Sequence, residues 1–595
     1  MHNYQVPLRD IEFTAKEMFG FIEHYRGLTG VEELSEDMLS AILQEAAKFC
    51  ESKLVPINHA GDQVGCRWVD GQVITPPGYK DAFNAFAEGG WVSLAEEPKR
   101  GGQGLPFSLF MLVFEMLASS NMAFSLYIAN YYGTLVTLGK YGTEQQKSTF
   151  MTKLISAEWN STMCLTEPHC GSDLGLLRTK AVSNDDGSYS LNGTKIFITS
   201  GEHDLNENII HLALARLPDA PAGTKGISLF IVPKFHVEPD GSLGERNKVH
   251  CLGIEEKMGI HGSATCTMQF DGATGYLLGE KHNGLKAMFT YMNESRVTTA
   301  IQAYAVGEAS FQGALQYAKE RLQMRAAQRT HPELPADPIV SHPDVRRMLF
   351  TQKALTEGGR MLSYYCLKQM DLTLKSTDQS AKDKAENLLA LLTPIAKGFN
   401  SEVGIEATSL GIQTFGGHGF IAESGMEQLS RDQRITAIYE GVTAIQGLDL
   451  LGRKALAMGL LEEFLPEVLA FISNNQADEM LEFIRPLQVA VSEWQEITSD
   501  IRERAQCDVN LVGACAYDFL MYSGYATLAY FWAQAAEVAL LNISAGNQDS
   551  FYQGKLDTAR FYFSRLLPRS QSYLACLRQN SSNLMATESQ NFLFL

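Results

Sequence analysis

No apolar run in the chain approaches the roughly 20 residues needed to span a bilayer. The N-terminal MHNYQVPLRDIEF has neither the charged-then-apolar pattern of a secretory signal nor the Arg/Ser bias of a transit peptide. The expectation is a cytoplasmic protein with no membrane span. Positive charge is in deficit, with 49 Lys and Arg against 68 Asp and Glu and a formal net charge of -19. Such a surface repels nucleic acid and anionic lipid, which disfavours both as partners. The ten cysteines, scattered from Cys50 to Cys576, include no CxxC pair and no nearby histidine pair at metal-ligand spacing. They read as buried small apolar residues in a reducing compartment, with no disulfide and no metal expected. Internal repeats, low-complexity segments and a GxGxxG dinucleotide fingerprint are also missing.

What is present is ordinary globular material: 595 residues, 45% hydrophobic and 20% charged, enough for several cores and, at roughly 150 residues each, about three or four domains. From about Leu34 to Phe150 the apolar period is helical, with Met38, Ile42, Leu43, Ala46 and Phe49 at three- and four-residue intervals. Near Asn160 the period becomes strand-like. Tyr189 and Leu191 alternate toward Asn192-Gly193, and Ile196 and Ile198 alternate away from it, which predicts a hairpin. Ile227 to Val232 predicts a second strand, and Cys266, Met268 and Phe270 mark a third. After Gly284 the helical period returns, through Met288–Arg325, Asp344–Gln369 and Ala385–Leu410, with a solvated connection over Lys375–Lys384. Beyond Lys454 a stripe of Leu487, Val491, Trp494, Thr498 and Ile501 and an Ala- and aromatic-rich run from Ala514 to Leu541 predict more helices. The fold class is therefore mainly α with a middle β domain. The expected limits are a helical domain at 1–159, a β domain at 160–282, a helical domain at 283–455 and a further helical domain at 456–595.

Four constellations carry chemistry. MCLTEPHCGSD, Met163 to Asp173, sits where helix gives way to sheet. Its hydroxyls, Thr166 and Ser172, and its backbone N–H groups suit phosphate or ring oxygens, while its plainer reading is a turn with a capping Asp. In KIFITSG, Lys195 to Gly201, Phe197 and Thr199 lie two apart and so share a strand face that could line a planar ring or simply be core. Asn293-Glu-Ser-Arg296 and, further on, Arg321 could hold phosphate through the arginine fork or form a solvated helix face. The fourth runs from Gln413 to Lys454. It opens with Gly416, Gly417 and Gly419, and ends in an apolar-periodic helical run, Ile435, Ile438, Tyr439, Val442 and Ile445, around one carboxylate, Glu440. Desolvation there would raise the carboxyl toward a useful base, although Arg431 and Arg434 are close in sequence.

Together, in this order, these segments resemble the acyl-CoA dehydrogenase family over roughly Met38 to Lys454. The carriers are LTEPxxGSD at Leu165–Asp173 and QxFGGxGF with RDxRIxxIYEG from Gln413 to Gly441. The resemblance implies a helical, β-barrel and four-helix-bundle architecture, FAD as cofactor, an acyl-CoA substrate and an electron-transfer flavoprotein as acceptor. It implies that Glu440 is the base for the α-proton and that its backbone N–H, with the flavin ribityl hydroxyl, holds the thioester carbonyl. Met163, Leu165, Thr166, Ser172, Phe197 and Thr199 match flavin-contacting positions. Arg321, Gln413 and Gly417 match residues reaching the FAD of a neighbouring subunit. Asn293, Arg296, Ser172 and Gly441 match positions beside the substrate. Some branches carry the base at the position of Ser295, which cannot serve. Phe197, His261, Met324-Arg325 and Val442 stand where the family usually has Trp, Arg, Phe-Gly and Thr. The extra C-terminal region, with KMGIHGSATC and IQGLDLLGRK, is similar to the long bacterial branch, which includes broad-range fatty acyl-CoA and 3-methylmercaptopropionyl-CoA dehydrogenases. That implies a homodimer. The expected reaction is oxidation of a saturated acyl-CoA to the trans-2-enoyl-CoA in fatty-acid β-oxidation. An acyl-CoA oxidase or a non-catalytic scaffold on the same fold are the alternatives.

Overall fold

The computed structural model describes residues 4–31, 34–329 and 331–592. The first three residues of the N-terminal segment read above, and the chain ends at 1 and 595 used as domain limits, lie outside the described residues. Two compact units form, one of residues 37–298 and one of residues 1–36 with 299–595.

In the first unit seven strands make one sheet: β1 (Trp159–Cys164), β2 (Lys180–Ser183), β3 (Tyr189–Thr199), β4 (Asn208–Arg216), β5 (Ile227–Pro233), β6 (Val249–Ile254) and β7 (Thr265–Leu278). Pairing runs β6-β7-β3-β2-β4-β1, and β5 pairs with both β7 and β4. While β6 and β1 each pair on one side, the strands β7, β3, β2, β4 and β5 therefore close on themselves around an apolar interior. Leu191, Ile198, Ala213, Phe230 and Cys266 fill it. Outside this sheet, α1 (Phe107–Ser120) is buried along its whole length, as a helix with apolar residues on every face must be, and it takes Glu115 and three serines into the interior with it. Asn121 separates it from α2 (Met122–Tyr141), accepting from the Phe124 N–H at 3.0 Å and the Tyr79 hydroxyl at 3.1 Å.

Several features differ from the sequence reading. Asn192-Gly193 does not turn: β3 runs straight through it, paired with Asp271 and Phe270 of β7. The glycine is needed for close approach, because a Cβ there would overlap Thr179. A short hairpin, Arg67–Val69 against Gln72–Ile74, interrupts the N-terminal helices. All ten cysteines are free thiols, but Cys507 and Cys576 are exposed rather than buried.

The second unit is helical. It holds the later part of α3 (Gly284–Glu320), then α4 (Pro343–Lys375), α5 (Gln379–Phe415), α6 (Met426–Arg434), α7 (Thr443–Leu448), α8 (Leu481–Arg504), α9 (Leu511–Ser544) and α10 (Ser550–Phe561). Only residues 376–378 separate α4 from α5, so most of the expected connection is helix, begun by the Asp378 side chain accepting from the Ser380 N–H. The stripe Leu487, Val491, Trp494, Thr498 and Ile501 is buried on one face of α8.

A buried ionic cluster joins distant parts of this unit. Asp10 accepts from Lys555 and Arg360, Arg360 also reaches Glu308 at 3.3 Å, and Glu357 accepts from Lys353 and, at 2.8 Å, from Lys555. The group balances three acids with three bases, which is the condition for keeping such charges out of water. Burial alone would raise the Asp10 carboxyl, but Lys555, Arg360 and Lys353 hold it well below the ordinary carboxylate range. Replacing Lys555 by Met leaves Asp10 and Glu357 short of a cation. A stability loss of about 3–5 kcal/mol is expected, read from urea unfolding of the full chain; an unchanged midpoint would remove the cluster from the account.

Candidate active site

In the unit of residues 37–298, β1 delivers the chain into the Leu165–Asp173 loop. Met163 is half-buried, Leu165 buried, Thr166 half-buried and Ser172 exposed. The loop is tied to β3 by the Ile196 N–H donating to the Thr166 carbonyl at 2.9 Å. Asp173 accepts from the Gly175 N–H at 2.9 Å, so the capping role is present. Beneath the loop lies Glu167, almost wholly buried. Its Oε1 takes the Lys195 ammonium at 2.9 Å together with the Thr179 N–H and hydroxyl, and its Oε2 takes the Arg178 N–H at 2.8 Å. Lys195, fully buried, also donates to the Leu165 carbonyl at 3.0 Å. Burial alone would raise the Glu167 carboxyl, but Lys195 and these donors hold it below its ordinary value. Glu167, His169 and Cys170 place possible ligand atoms within 4.8 Å of one another, yet both Glu167 oxygens are taken by protein donors, so the group reads as a loop anchor.

Phe197 sits in a β-bulge. Ile198 pairs with Cys266 and Lys195 with Met268, leaving Ile196 and Phe197 opposite Thr267 alone. Phe197 takes φ +60°, a left-handed conformation that costs a bulky residue roughly 1–2 kcal/mol, and the residue is 59% exposed. The bulge resets the alternation so that Lys195 and Ile198 both point inward, while Phe197 and Thr199 share the outer face. On α3, Asn293 is exposed, whereas Ser295 and Arg296 are buried. The two candidates there, though three residues apart, differ in their access to solvent.

In the helical unit, Glu440 is not on a helix, contrary to the apolar periodicity around it. It lies in a turn between the 3-10 segment Ile435–Ala437 and α7, at φ +54°, followed by Gly441 at φ +89°. Two left-handed residues in succession reverse the chain, and only the second is a glycine. Three side chains of α5 hold this turn. Lys397 donates to the Gly441 carbonyl at 2.7 Å, Ser401 donates to the Thr436 carbonyl at 2.9 Å, and Glu402 accepts from the Thr443 hydroxyl at 2.6 Å. Gln446 of α7 donates to the Glu440 carbonyl at 3.1 Å. The Tyr439 hydroxyl donates to Gln302, and burial, with the Glu440 charge adding to it, pushes the phenol well above its ordinary value.

At the far end of α5, Tyr317 of α3 stacks on Phe415 with centroids 4.1 Å apart. This joins the end of α3, just before Arg321, to the start of the glycine segment. Gln413, Gly416 and Gly417 are exposed, and open space faces both glycines. Lys397, Ser401 and Gln446 are site residues that periodicity does not flag. The available signal was a lysine inside the apolar run from Leu391 to Phe399, where a buried cation needs a reason.

Family models described as Acyl-CoA dehydrogenase, N-terminal domain, middle domain and C-terminal domain match residues 36–158, 162–273 and 282–456. Another, Acetyl-CoA dehydrogenase C-terminal like, matches 464–588. The chain is 38% identical over 569 residues to a 3-methylmercaptopropionyl-CoA dehydrogenase of Ruegeria pomeroyi, covering 95% of this chain and 96% of that one. It is 34% identical over 616 residues to a broad-specificity linear acyl-CoA dehydrogenase of Mycobacterium tuberculosis, covering all of both. The fold is shared with an acyl-CoA dehydrogenase from Bacillus anthracis solved with FAD, at a TM-score of 0.72 and 19% identity, over 98% of this chain and 92% of that one. Among the described residues no helix is long and apolar enough to cross a membrane.

Replacing Lys195 by Met would strand the Glu167 carboxylate in the protein. Amide hydrogen exchange at Arg178 and Thr179 is expected to rise at least tenfold, with a stability loss of about 3–5 kcal/mol. Because the Glu167 carboxyl is held low when folded, the parent's anchor is intact above the ordinary carboxylate range and is lost as pH falls through the depressed value. Unchanged exchange in the variant would show that the pair does not hold the loop.

Proposed function

The chain belongs to the acyl-CoA dehydrogenase family, a family of FAD-dependent enzymes, and on that premise we propose that it oxidises a saturated fatty acyl-CoA to the trans-2-enoyl-CoA in β-oxidation, with Glu440 as the base. The observation that carries this reading is the turn at Glu440, where a carboxylate-bearing residue sits at φ +54° on a backbone tied to α5. Strain of this kind persists only where its surroundings over-determine it, and it concentrates at functional sites. In the proposed reaction Glu440 takes the α-proton. Its backbone N–H donates to the thioester carbonyl, stabilising the enolate character that acidifies the α-carbon. FAD, held by the flavin residues assigned below, would supply the hydride acceptor for the β-hydrogen.

The residues suit a flat ring system. A largely exposed aromatic on a bulged strand, Phe197, shares its outward face with the Thr199 hydroxyl, and the adjoining loop offers Thr166 and an exposed Ser172. Met163 and Leu165 complete the set we assign to the flavin. We assign Asn293, Arg296, Ser172 and Gly441 to the substrate. Arg321, Gln413 and Gly417 are assigned to the FAD of a partner subunit in a homodimer, supported by the open space at the glycines. An electron-transfer flavoprotein is the proposed acceptor, the cytoplasm the proposed compartment, and 1–159, 160–282, 283–455 and 456–595 the proposed domains. The 38% identity to a 3-methylmercaptopropionyl-CoA dehydrogenase supports a second substrate reading, in which the acyl chain carries a thioether.

Anaerobic bleaching of the flavin across acyl-CoAs of rising length, with a thioether acyl-CoA included, separates the two substrates. Glu440→Gln is expected to retain FAD and to slow that bleaching by about 10²–10⁴-fold, the loss typical of a general base. Bleaching at the parental rate would overturn the assignment.

A further inference from the structure

Among the groups buried in the helical unit, Lys397 stands out by what it holds. Its side chain is wholly inaccessible, and its ammonium donates at 2.7 Å to the carbonyl of Gly441, the residue after Glu440. Taking an ammonium out of water costs several kcal/mol, and a charge-assisted hydrogen bond to a fixed carbonyl offsets part of that cost. An ammonium is not needed merely to satisfy one carbonyl, since neutral donors do so elsewhere in the same turn: Gln446, equally buried, donates to the Glu440 and Gly441 carbonyls at 3.1 and 3.3 Å. The two donors together fix the peptide planes on both sides of Gly441. The packing is tight enough that a Cβ on Gly441 would meet the Gln446 amide nitrogen at 2.6 Å. Four residues along the same helix face, Ser401 holds the Thr436 carbonyl, so α5 grips the segment both before and after Glu440.

We propose that Lys397 is a positioning residue for Glu440, fixing the left-handed turn so that the carboxylate is presented in one orientation. The inference rests on the reading of Glu440 as the base. Nothing in it requires Lys397 to touch substrate. A turn freed of this contact keeps its carboxylate and leaves the substrate contacts assigned to Ser172, Asn293 and Arg296, which lie outside the turn, in place, but spends less time in the reactive orientation. Loss of Lys397 should therefore act on the rate at saturating substrate rather than on binding.

The test uses the FAD-loaded full chain. Lys397→Met is expected to slow anaerobic flavin reduction at saturating acyl-CoA by about 10- to 100-fold, the scale of a base displaced by about an ångström, with KM within about twofold of the parent and flavin content unchanged. Lys397→Arg, which keeps a charged donor, is expected to recover most of the rate. Amide hydrogen exchange over Ile438–Gln446 should rise in the Met variant while exchange in α4 stays at the parental level. If Lys397→Met does not accumulate folded, Lys397→Gln is used, with slowing expected again. Reduction by a folded Met or Gln variant at the parental rate would overturn the proposal, as would an Arg variant as slow as Met or a loss confined to KM. Glu440→Gln run in parallel separates the failures. A parental rate there sinks the base reading itself, whereas a slow Glu440→Gln beside a parental Lys397→Met sinks only the positioning role.

Discussion

The proposed reaction depends on a short stretch of left-handed backbone. Glu440 and Gly441 reverse the chain between two helical segments, and the first of them has a side chain that disfavours this conformation. A non-glycine residue in such a region costs roughly 1–3 kcal/mol, and here hydrogen bonds from Lys397 and Gln446 offset it. The helix that supplies Lys397 is itself pressed by the C-terminal region. Gly398 leaves room for Leu520 of α9, and Gly447 lets α7 approach the Ala516 carbonyl, each at a distance where a Cβ would collide. The additional C-terminal helices therefore pack closely against the two helices that flank the Glu440 turn. The Asp10, Lys555 and Arg360 cluster locks α10 and the N-terminal segment onto α4 in the same unit.

The β-rich unit uses the same device. Phe197 is also held at positive φ, by a bulge between β3 and β7, so that its ring faces outward while Ile198 stays in the barrel interior. The loop beside it is anchored by a buried carboxylate satisfied by an ammonium, a hydroxyl and two backbone N–H groups. In both units a strained residue lies beside buried polar side chains that hydrogen-bond to nearby backbone, Lys397 and Gln446 in one and Lys195 and Glu167 in the other.

Much of this was legible in the residues. Changes of apolar period from 3.6 to 2 and back locate the middle β region, and the α8 stripe through Trp494 is buried as its spacing requires. Motif residues such as Thr166, Ser172, Phe197 and Thr199 fall on one loop and one strand face. What failed did so for tertiary reasons. Asn192-Gly193 carries a strong local turn signal, but pairing with β7 and the packing of Thr179 override it. Glu440 is surrounded by apolar residues at helical spacing, and Gly441 alone hints that the helix breaks there. Lys397 is signalled only as a lysine inside an apolar run, because the Gly441 carbonyl it donates to lies 44 residues away, a pairing that leaves no pattern in side-chain chemistry.

The central claim is that Glu440 removes the α-proton, and the most direct measurement follows that proton. An acyl-CoA deuterated at the α-carbon is incubated anaerobically in ordinary water with the FAD-loaded parent or with Glu440→Gln, and the recovered thioester is weighed by mass spectrometry. Loss of α-deuterium to solvent with the parent and its retention with the variant is the predicted result. Loss at the same rate with both would contradict the account.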